Sequence, residues 1–68
     1  MTDRKKFRVL ENNDIVLETD SMGEAVFMQR VFHNTRPGAY HEIYALIDGE
    51  YVGIRQYKPG DKIKQQRR

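Results

Sequence analysis

The chain has 68 residues, of which 38% are hydrophobic and 32% are charged, and its formal net charge is +2. This length limits it to one domain, near the smallest size at which a core is stable without disulfides or metals. The absence of cysteine excludes a disulfide framework, a thiolate zinc site and a cysteine nucleophile. It also fits a reducing compartment, and we expect a cytoplasmic protein. We expect neither a secretory signal nor contact with a membrane, because no apolar run has the necessary length.

Positive charge is concentrated at the two ends of the chain. Residues 1–8 have a net charge of +3 and residues 58–68 one of +4. The body between them has three arginines against eight carboxylates, a net charge of −5. Basic ends can bind phosphate, but the acidic body repels it, so solvated termini that contact nothing are the alternative.

This pattern predicts three parts: a basic N-terminal arm (1–6), a single α+β domain (7–58) and a basic C-terminal tail (59–68). If the chain binds nucleic acid, the side chains that we expect to contact phosphates are Lys58, Lys62, Lys64, Arg67 and Arg68.

Two apolar segments near the N-terminus predict a first β-hairpin. Phe7–Leu10 and Ile15–Thr19 are separated by asparagines and acidic residues that tolerate positive φ. A three-residue loop, Asn12 to Asp14, sets Arg8 opposite Glu18 on one face. On the other face it gathers four apolar side chains, namely Phe7, Val9, Ile15 and Leu17. A two-residue loop would divide these side chains between both faces, so we expect the three-residue loop.

A helix is predicted after Ser21, because Ser21 and Glu24 have the spacing of a capping box, in which each side chain accepts from the other residue's amide. It should end near Asn34, since the residue before Pro37 avoids the helical conformation. At about 100° per residue, one stripe of apolar side chains should pack on the sheet: Ala25, Phe27, Met28, Val31 and Phe32. The opposite side, which we expect to be exposed, carries Val26, Gln29, Arg30, His33 and Asn34.

The dipeptide Asp48-Gly49 predicts a second hairpin between His41–Ile47 and Glu50–Tyr57. Asp-Gly suits a two-residue type I′ loop, whose central residues both need positive φ. In that register the numbers of paired residues sum to 97. One face then carries the aliphatic side chains that we expect beneath the helix: Ile43, Ala45, Val52 and Ile54. The other face pairs Leu46 with Tyr51, Tyr44 with Gly53, Glu42 with Arg55, and Tyr40 with Tyr57.

The predicted fold is therefore α+β, in the order ββαββ, with an antiparallel sheet, one helix on its aliphatic face and the two hairpins side by side. The tyrosine face is left uncovered. We expect it to bind a protein partner or a second copy of the chain, through Tyr40, Tyr44, Tyr51, Arg55 and Tyr57, because tyrosine and arginine are enriched at interface hot spots. The alternative function is binding of single-stranded nucleic acid by the same face and the basic tail. The structural alternative is a solvated face that only supports strand pairing.

Other chemistry has little support in the sequence. His33, His41 and Glu42 are the residues that could bind a metal, but their spacing matches no recognised zinc motif, and we expect no metal and no cofactor. The chain has no glycine-rich phosphate loop, and Ser21 is accounted for as a helix cap. We therefore expect a protein that is not an enzyme.

Two resemblances to known proteins rest on short segments of the chain. Pro59-Gly60-Asp61-Lys62-Ile63 resembles the element that leads into a strand in SH3-like and KOW barrels, which implies a fifth strand as an alternative topology. Lys5-Lys6-Phe7, the helix entry from Glu18-Thr19 to Glu24-Ala25, and Pro37-Gly38 before a strand together resemble the layout of small phage inhibitors of bacterial RNA polymerase. That resemblance implies a non-catalytic protein that binds a large enzyme.

Overall fold

The computed structural model describes residues 4–63 as an open four-stranded antiparallel sheet with one helix on one face. The sheet order is β2-β1-β3-β4, so the hairpins lie side by side and the α+β ββαββ fold is confirmed. The elements are β1 (Phe7–Glu11), β2 (Asp14–Thr19), α1 (Met22–Thr35), β3 (His41–Ile47) and β4 (Glu50–Tyr57).

The first hairpin has a two-residue loop, so the expected three-residue loop is wrong. Asn12 and Asn13 have φ of 50° and 71°, and Glu11 pairs with Asp14. A β-bulge at Val16 then shifts the register. The bulge lets Leu17 pair with Val9, and Glu18 with Arg8 as predicted. Ile15 pairs with Leu10 instead, which places it on the face without the helix, where it is about half exposed.

The second hairpin follows the predicted register only from its loop to Tyr44. Asp48 and Gly49 both have positive φ, and Tyr44 pairs with Gly53 as expected. A bulge at Ile54 then shifts the pairing by one residue. The partners become Ile43 with Arg55, Glu42 with Gln56, and His41 with Tyr57. The predicted pairs Ile43 with Ile54, Glu42 with Arg55, and Tyr40 with Tyr57 are therefore wrong, because an inserted residue moves every following side chain to the other face.

Helix α1 begins at the predicted cap. The Ser21 hydroxyl accepts from the amide of Glu24, 3.1 Å away. The return contact of the capping box passes through Thr19: its hydroxyl accepts from the Ser21 amide and donates to the Glu24 carboxylate. At the other end, the Arg36 amide still donates to the Phe32 carbonyl, and the chain turns before Pro37.

The buried side of α1 is turned by roughly a quarter of a revolution from the predicted stripe. Phe27 is 64% exposed and Val31 is also exposed, whereas Gln29 and His33, expected in water, are fully buried. The apolar core consists of Val9, Ala25 and Ile43, with four half-buried side chains around it: Phe7, Leu17, Val26 and Phe32. The helix turns this way because Gln29 and His33 find hydrogen-bond partners on the sheet, so their burial is compensated.

The helix packs chiefly on β1, β2 and β3. Its contacts with the edge strand β4 are made by Gln29 and His33, to Arg55 and Tyr57. Val52 and Ile54 stay 44% and 42% exposed, contrary to the sequence expectation. No fifth strand is present in residues 4–63, since residues 58–63 form a turn and an irregular segment. Within the same residues, no helix has the length and apolar character needed to cross a membrane.

Candidate functional site

The sheet has an inner face, which α1 covers, and an outer face, on which no described element packs. Strand alternation and the observed pairing assign ten residues to the outer face: Arg8, Leu10, Ile15, Glu18, Glu42, Tyr44, Leu46, Tyr51, Gly53 and Gln56. None of these ten is fully buried. The outer face is thus a regular surface that the fold leaves uncovered, as the sequence predicts for the face carrying Tyr44 and Tyr51.

Tyr51 is held at this face by the N-terminal segment and by Arg8. Its hydroxyl donates to the Lys5 carbonyl at 2.6 Å. The Arg8 guanidinium carbon lies 3.8 Å from the ring centroid, and that of Arg4 lies 5.6 Å away. Arg8 also donates to Glu18 at 2.7 Å, the one cross-strand ion pair that the sequence anticipated correctly. These contacts fix the Tyr51 ring, so ordering it would add little entropic cost to binding.

Tyr44 lies at the centre of the outer face. Its ring covers Gly53, where a Cβ atom would come within 3.7 Å of the ring. Its hydroxyl donates to one oxygen of Glu42 at 3.4 Å. The second oxygen, Oε1, is buried and has no hydrogen-bond partner among residues 4–63. A hollow of about 360 Å³ adjoins this carboxylate, lined by Glu42, Gly53, Ile54, Arg55 and Gln56.

Tyr40 lies at the edge of the same face, just before β3. Its hydroxyl donates to Gln56, the cross-strand partner of Glu42. Burial raises the pKa of the Tyr40 phenol, and the negative charge of Glu42 raises it further. Tyr40 therefore stays a neutral hydrogen-bond donor at physiological pH.

Tyr57 and Arg55 belong to the inner face, because the bulge at Ile54 turns them toward α1. The Tyr57 ring stacks on His33 with centroids 5.0 Å apart. Arg55 donates through Nε to the Gln29 side chain and through a terminal nitrogen to the Tyr57 hydroxyl. The expected set of four tyrosines and Arg55 on one surface is thus divided: Tyr40, Tyr44 and Tyr51 are together, and Arg55 and Tyr57 are not with them.

The inner face ends in a buried polar cluster near the C-terminus of α1. His33 Nδ1 and His41 Nδ1 are 2.6 Å apart, and both side chains are almost fully buried. His41 Nε2 contacts Glu11 at 3.0 Å, and His33 Nε2 contacts the Asp61 carbonyl at 2.9 Å. The sequence grouped the two histidines with Glu42, but Glu42 lies on the outer face and Glu11 takes its place. No metal-ligating group of three or more side chains is found in the described part of the chain.

Two of the five basic residues expected to contact phosphates fall within the residues that the structure describes. Lys58 and Lys62 are exposed in the segment that follows β4, where the Lys58 amide donates to the Asp61 side chain. Lys64, Arg67 and Arg68 lie outside the described residues. Their part in phosphate binding stays a prediction.

Sequence reasoning missed the residues that join the strands β1 and β3. Arg8 neighbours Tyr44 across that junction, and Glu11 neighbours His41. Both neighbour pairs arise because β1 lies beside β3 in the order β2-β1-β3-β4, and this order cannot be deduced from the spacing of residues along the chain. The alternation of side chains along β1, by contrast, can be read from the sequence. It puts Arg8 and Leu10 on the face opposite Val9, which is enough to place Arg8 on the outer face.

Comparison of the chain with protein-family models, with curated proteins and with solved structures finds no match.

Proposed function

We propose that this chain is a non-enzymatic binding module that binds a protein partner stoichiometrically through the outer face, with Tyr44 and Tyr51 at the centre of the contact. The observation that carries the proposal is the combination of an uncovered sheet face with a rigid aromatic centre. Aromatic side chains that are already fixed lose little conformational entropy on binding, and tyrosine and arginine contribute strongly at interface centres.

The charges around this centre support a partner with a basic side chain. Glu42 has one buried carboxylate oxygen without a hydrogen-bond donor among residues 4–63, beside an open hollow of about 360 Å³. An unpaired buried acceptor is unfavourable, so a partner's lysine or arginine that reaches Glu42 would gain a charge-assisted hydrogen bond. The Tyr44 ring beside it offers a face for the stem or the guanidinium of such a side chain.

The two edge strands of the sheet, β2 and β4, favour association through the outer face rather than through a strand edge. Both β2 and β4 carry a bulge, at Val16 and Ile54 respectively. Bulged edges pair poorly with a further strand. A second copy of the chain would therefore bind through the outer face, and measuring the solution mass across concentration distinguishes a second copy from a different protein.

The test compares partner capture by the wild type, Tyr44→Ala, Glu42→Gln and Phe27→Ala. Phe27 is the matched control, since it is a large exposed aromatic on the helix, away from the sheet. We expect Tyr44→Ala to weaken capture at least tenfold, the size of a hot-spot loss. Glu42→Gln should weaken it less, and Phe27→Ala should leave it unchanged. Loss with Phe27→Ala and retention with Tyr44→Ala, both folded by circular dichroism, would place the interface on the helix.

Single-stranded nucleic acid is the second candidate, and the stacking of Arg4 and Arg8 on Tyr51 favours it, because this places cations beside an aromatic ring. Binding of an oligonucleotide should weaken steeply as salt rises, whereas a protein interface centred on aromatic contacts should respond little. Oligonucleotide binding that falls with salt and with removal of residues 59–68 would replace the protein-binding proposal.

A further inference from the structure

The hydrogen bonds of the buried polar cluster cannot all form with two neutral imidazoles and an ionised carboxylate. The Asp61 carbonyl is only an acceptor, so His33 Nε2 must carry a proton. The contact between His41 Nε2 and Glu11 needs a second proton. Two bare Nδ1 lone pairs would repel each other at 2.6 Å, so the contact between the rings needs a third.

Two neutral imidazoles carry only two protons between them. The geometry therefore requires one additional proton on the set formed by Glu11, His41 and His33. With it, one ring is cationic, Glu11 is its counter-ion, and the set is neutral. Without it, the set has a net charge of −1 and one of the three contacts becomes acceptor against acceptor.

The surroundings of the cluster contain charges of both signs. Arg36, at the end of α1, donates to Glu11 at 3.3 Å but is largely exposed, so its effect on the buried set is screened. From β4, Tyr57 stacks on His33 and its hydroxyl accepts from Arg55. From the C-terminal segment, Asp61 and Lys62 line a hollow next to His33. Glu11 is the only carboxylate with a direct contact to either ring in residues 4–63, and it balances the additional proton.

We propose that Glu11, His41 and His33 form a buried proton-binding site that couples the docking of residues 58–63 to pH. Loss of the additional proton leaves two protons for three contacts. The lowest-cost arrangement keeps the proton on His41 Nε2 for Glu11 and puts the other between the two rings. His33 Nε2 is then bare opposite the Asp61 carbonyl. Of the three contacts, this is the one that involves an exposed residue outside the sheet and the helix.

The segment that would respond is held by few other contacts. The Gly60 amide donates to the Pro37 carbonyl, and the Asp61 side chain accepts from the Lys58 amide within the segment itself. Losing the His33 contact therefore removes one of the two described hydrogen bonds between residues 58–63 and the helix end. High pH should release this segment and the two lysines it carries.

The distance between the rings favours a proton over a metal ion as the occupant. Two imidazole nitrogens that bind one zinc ion lie about 2.0–2.1 Å from it, which at a tetrahedral angle separates them by roughly 3.3 Å. The observed 2.6 Å is shorter than that separation and is close to a short hydrogen bond. A metal remains a distinct outcome of the experiment below.

Imidazole ¹⁵N and ¹H NMR tests the site on the wild-type chain, whose only two histidines are His33 and His41. Near pH 6.5 we expect three N–H protons on two rings, with the two Nδ1 atoms sharing one of them. Raising the pH should remove that proton, and the amide signals of Gly60 and Asp61 should shift in the same titration. Two N–H protons, one on each ring, across this range would overturn the proposal. Added Zn²⁺ that changes the ring signals and raises the thermal midpoint would also overturn it, in favour of a metal site.

Stability against pH gives a second, independent readout. The three native contacts need one proton more than two neutral imidazoles carry, whereas no such contact holds a proton on the histidines of the unfolded chain, which ordinarily lose theirs near pH 6.5. The native state then binds more protons than the unfolded state, so stability must fall as pH rises. The unfolding equilibrium constant should increase by up to tenfold per pH unit above about pH 6.5 until the native proton is lost.

Glu11→Gln and Glu42→Gln form a matched pair for this measurement. The amide introduced by Glu11→Gln can still accept from His41 but supplies no negative charge to balance the additional proton. The native site should therefore bind that proton less tightly, and the unfolding equilibrium constant should rise less steeply with pH. Glu42 lies on the outer face, away from the histidines, so Glu42→Gln should keep the wild-type slope below about pH 9, where tyrosines do not yet titrate. A wild-type curve that is flat above pH 6.5, or identical slopes for both variants, would contradict the proposal.

Discussion

The two faces of the sheet use similar residues in opposite ways. Every fully buried strand residue lies on the inner face, including His41, whereas no residue of the outer face is fully buried. The difference is clearest in two carboxylates. Glu11 on the inner face bonds to His41 and Arg36, and Glu42 on the outer face has an oxygen without a donor among the described residues. The helix supplies partners to one face, whereas the other face takes its partners from its own strands and from the segment that precedes β1.

The comparison shows that burial in this protein follows hydrogen-bond satisfaction as much as hydrophobicity. Gln29 is buried because the carbonyls of His41 and Arg55 accept from its amide and Arg55 donates to its oxygen. Phe27, more hydrophobic, is 64% exposed on the same helix. Four predictions test the contrast between the faces.

The largest expected effect is at Ile43, the biggest apolar side chain that is fully buried on the inner face. We expect Ile43→Ala to lower the free energy of unfolding by about 2–5 kcal/mol, because it leaves a cavity beneath the helix. Leu46→Ala is the control, on the same strand but half-buried on the outer face. In urea unfolding, Leu46→Ala should lower the free energy of unfolding by less than half as much as Ile43→Ala. Equal decreases would mean that the outer face is also a packed core.

Gln29→Ala should lower the free energy of unfolding by about 1–3 kcal/mol, because it removes the partners of buried backbone and guanidinium groups. Gln56→Ala is its counterpart on the outer face, where the side chain is exposed and accepts from Tyr40. We expect that variant to stay within about 0.5 kcal/mol of the wild type. Thermal and urea unfolding measure both. A neutral Gln29→Ala would show that hydrogen bonding does not set the rotation of the helix.

Arg8→Met should lower the free energy of unfolding by about 1 kcal/mol, because it removes the cation over Tyr51 and the ion pair with Glu18. Arg36→Met removes a more exposed ion pair, with Glu11, and should cost less than about 0.5 kcal/mol. Measuring both at low and high salt separates the two contributions of Arg8, since salt screens the exposed ion pair more than the stacking. If Arg36→Met lowered the free energy of unfolding more than Arg8→Met does, the ion pair with Glu11 would stabilise the fold more than the contacts of Arg8, contrary to this prediction.

The smallest effect concerns the phenol of Tyr40. Its pKa should lie above the ordinary value of about 10, first because of burial and second because of Glu42. Absorbance at alkaline pH, compared with Tyr40→Phe, isolates this group. Glu42→Gln should lower the pKa of Tyr40 but keep it raised. Because folding disfavours the phenolate, the associated stability is present below the ordinary tyrosine pKa and is lost as pH rises through the folded one.

The parts of the fold that were predictable are those decided by neighbouring residues. Asp48-Gly49 formed its two-residue loop, Ser21 capped α1, and Arg8 faced Glu18. Tyr44 and Tyr51 reached the outer face because they lie between the loop and the bulge, where the register still holds.

The wrong strand pairings share a physical cause, which is a single inserted residue in each edge strand, β2 and β4. The bulges at Val16 and Ile54 reversed the faces of Ile15, Arg55 and Tyr57. Period-two alternation has no tolerance for an insertion. No glycine adjoins the bulge at Val16, and Gly53, directly before Ile54, is explained equally well by the Tyr44 ring that covers it. The rotation of α1 was missed for a different reason, since ranking side chains by hydrophobicity ignores the partners that make a buried Gln29 or His33 acceptable.

The amino-acid sequence by itself determined the class of the fold, the Asp48-Gly49 turn, the start of the helix and the uncovered face with two tyrosines, because each depends on residues close together in the chain. Tertiary structure alone decided which polar side chains were buried. His33 meets His41, and Gln29 meets Arg55, across separations of 8 and 26 residues. Those meetings depend on hydrogen-bond partners that exist only once the helix lies on the sheet.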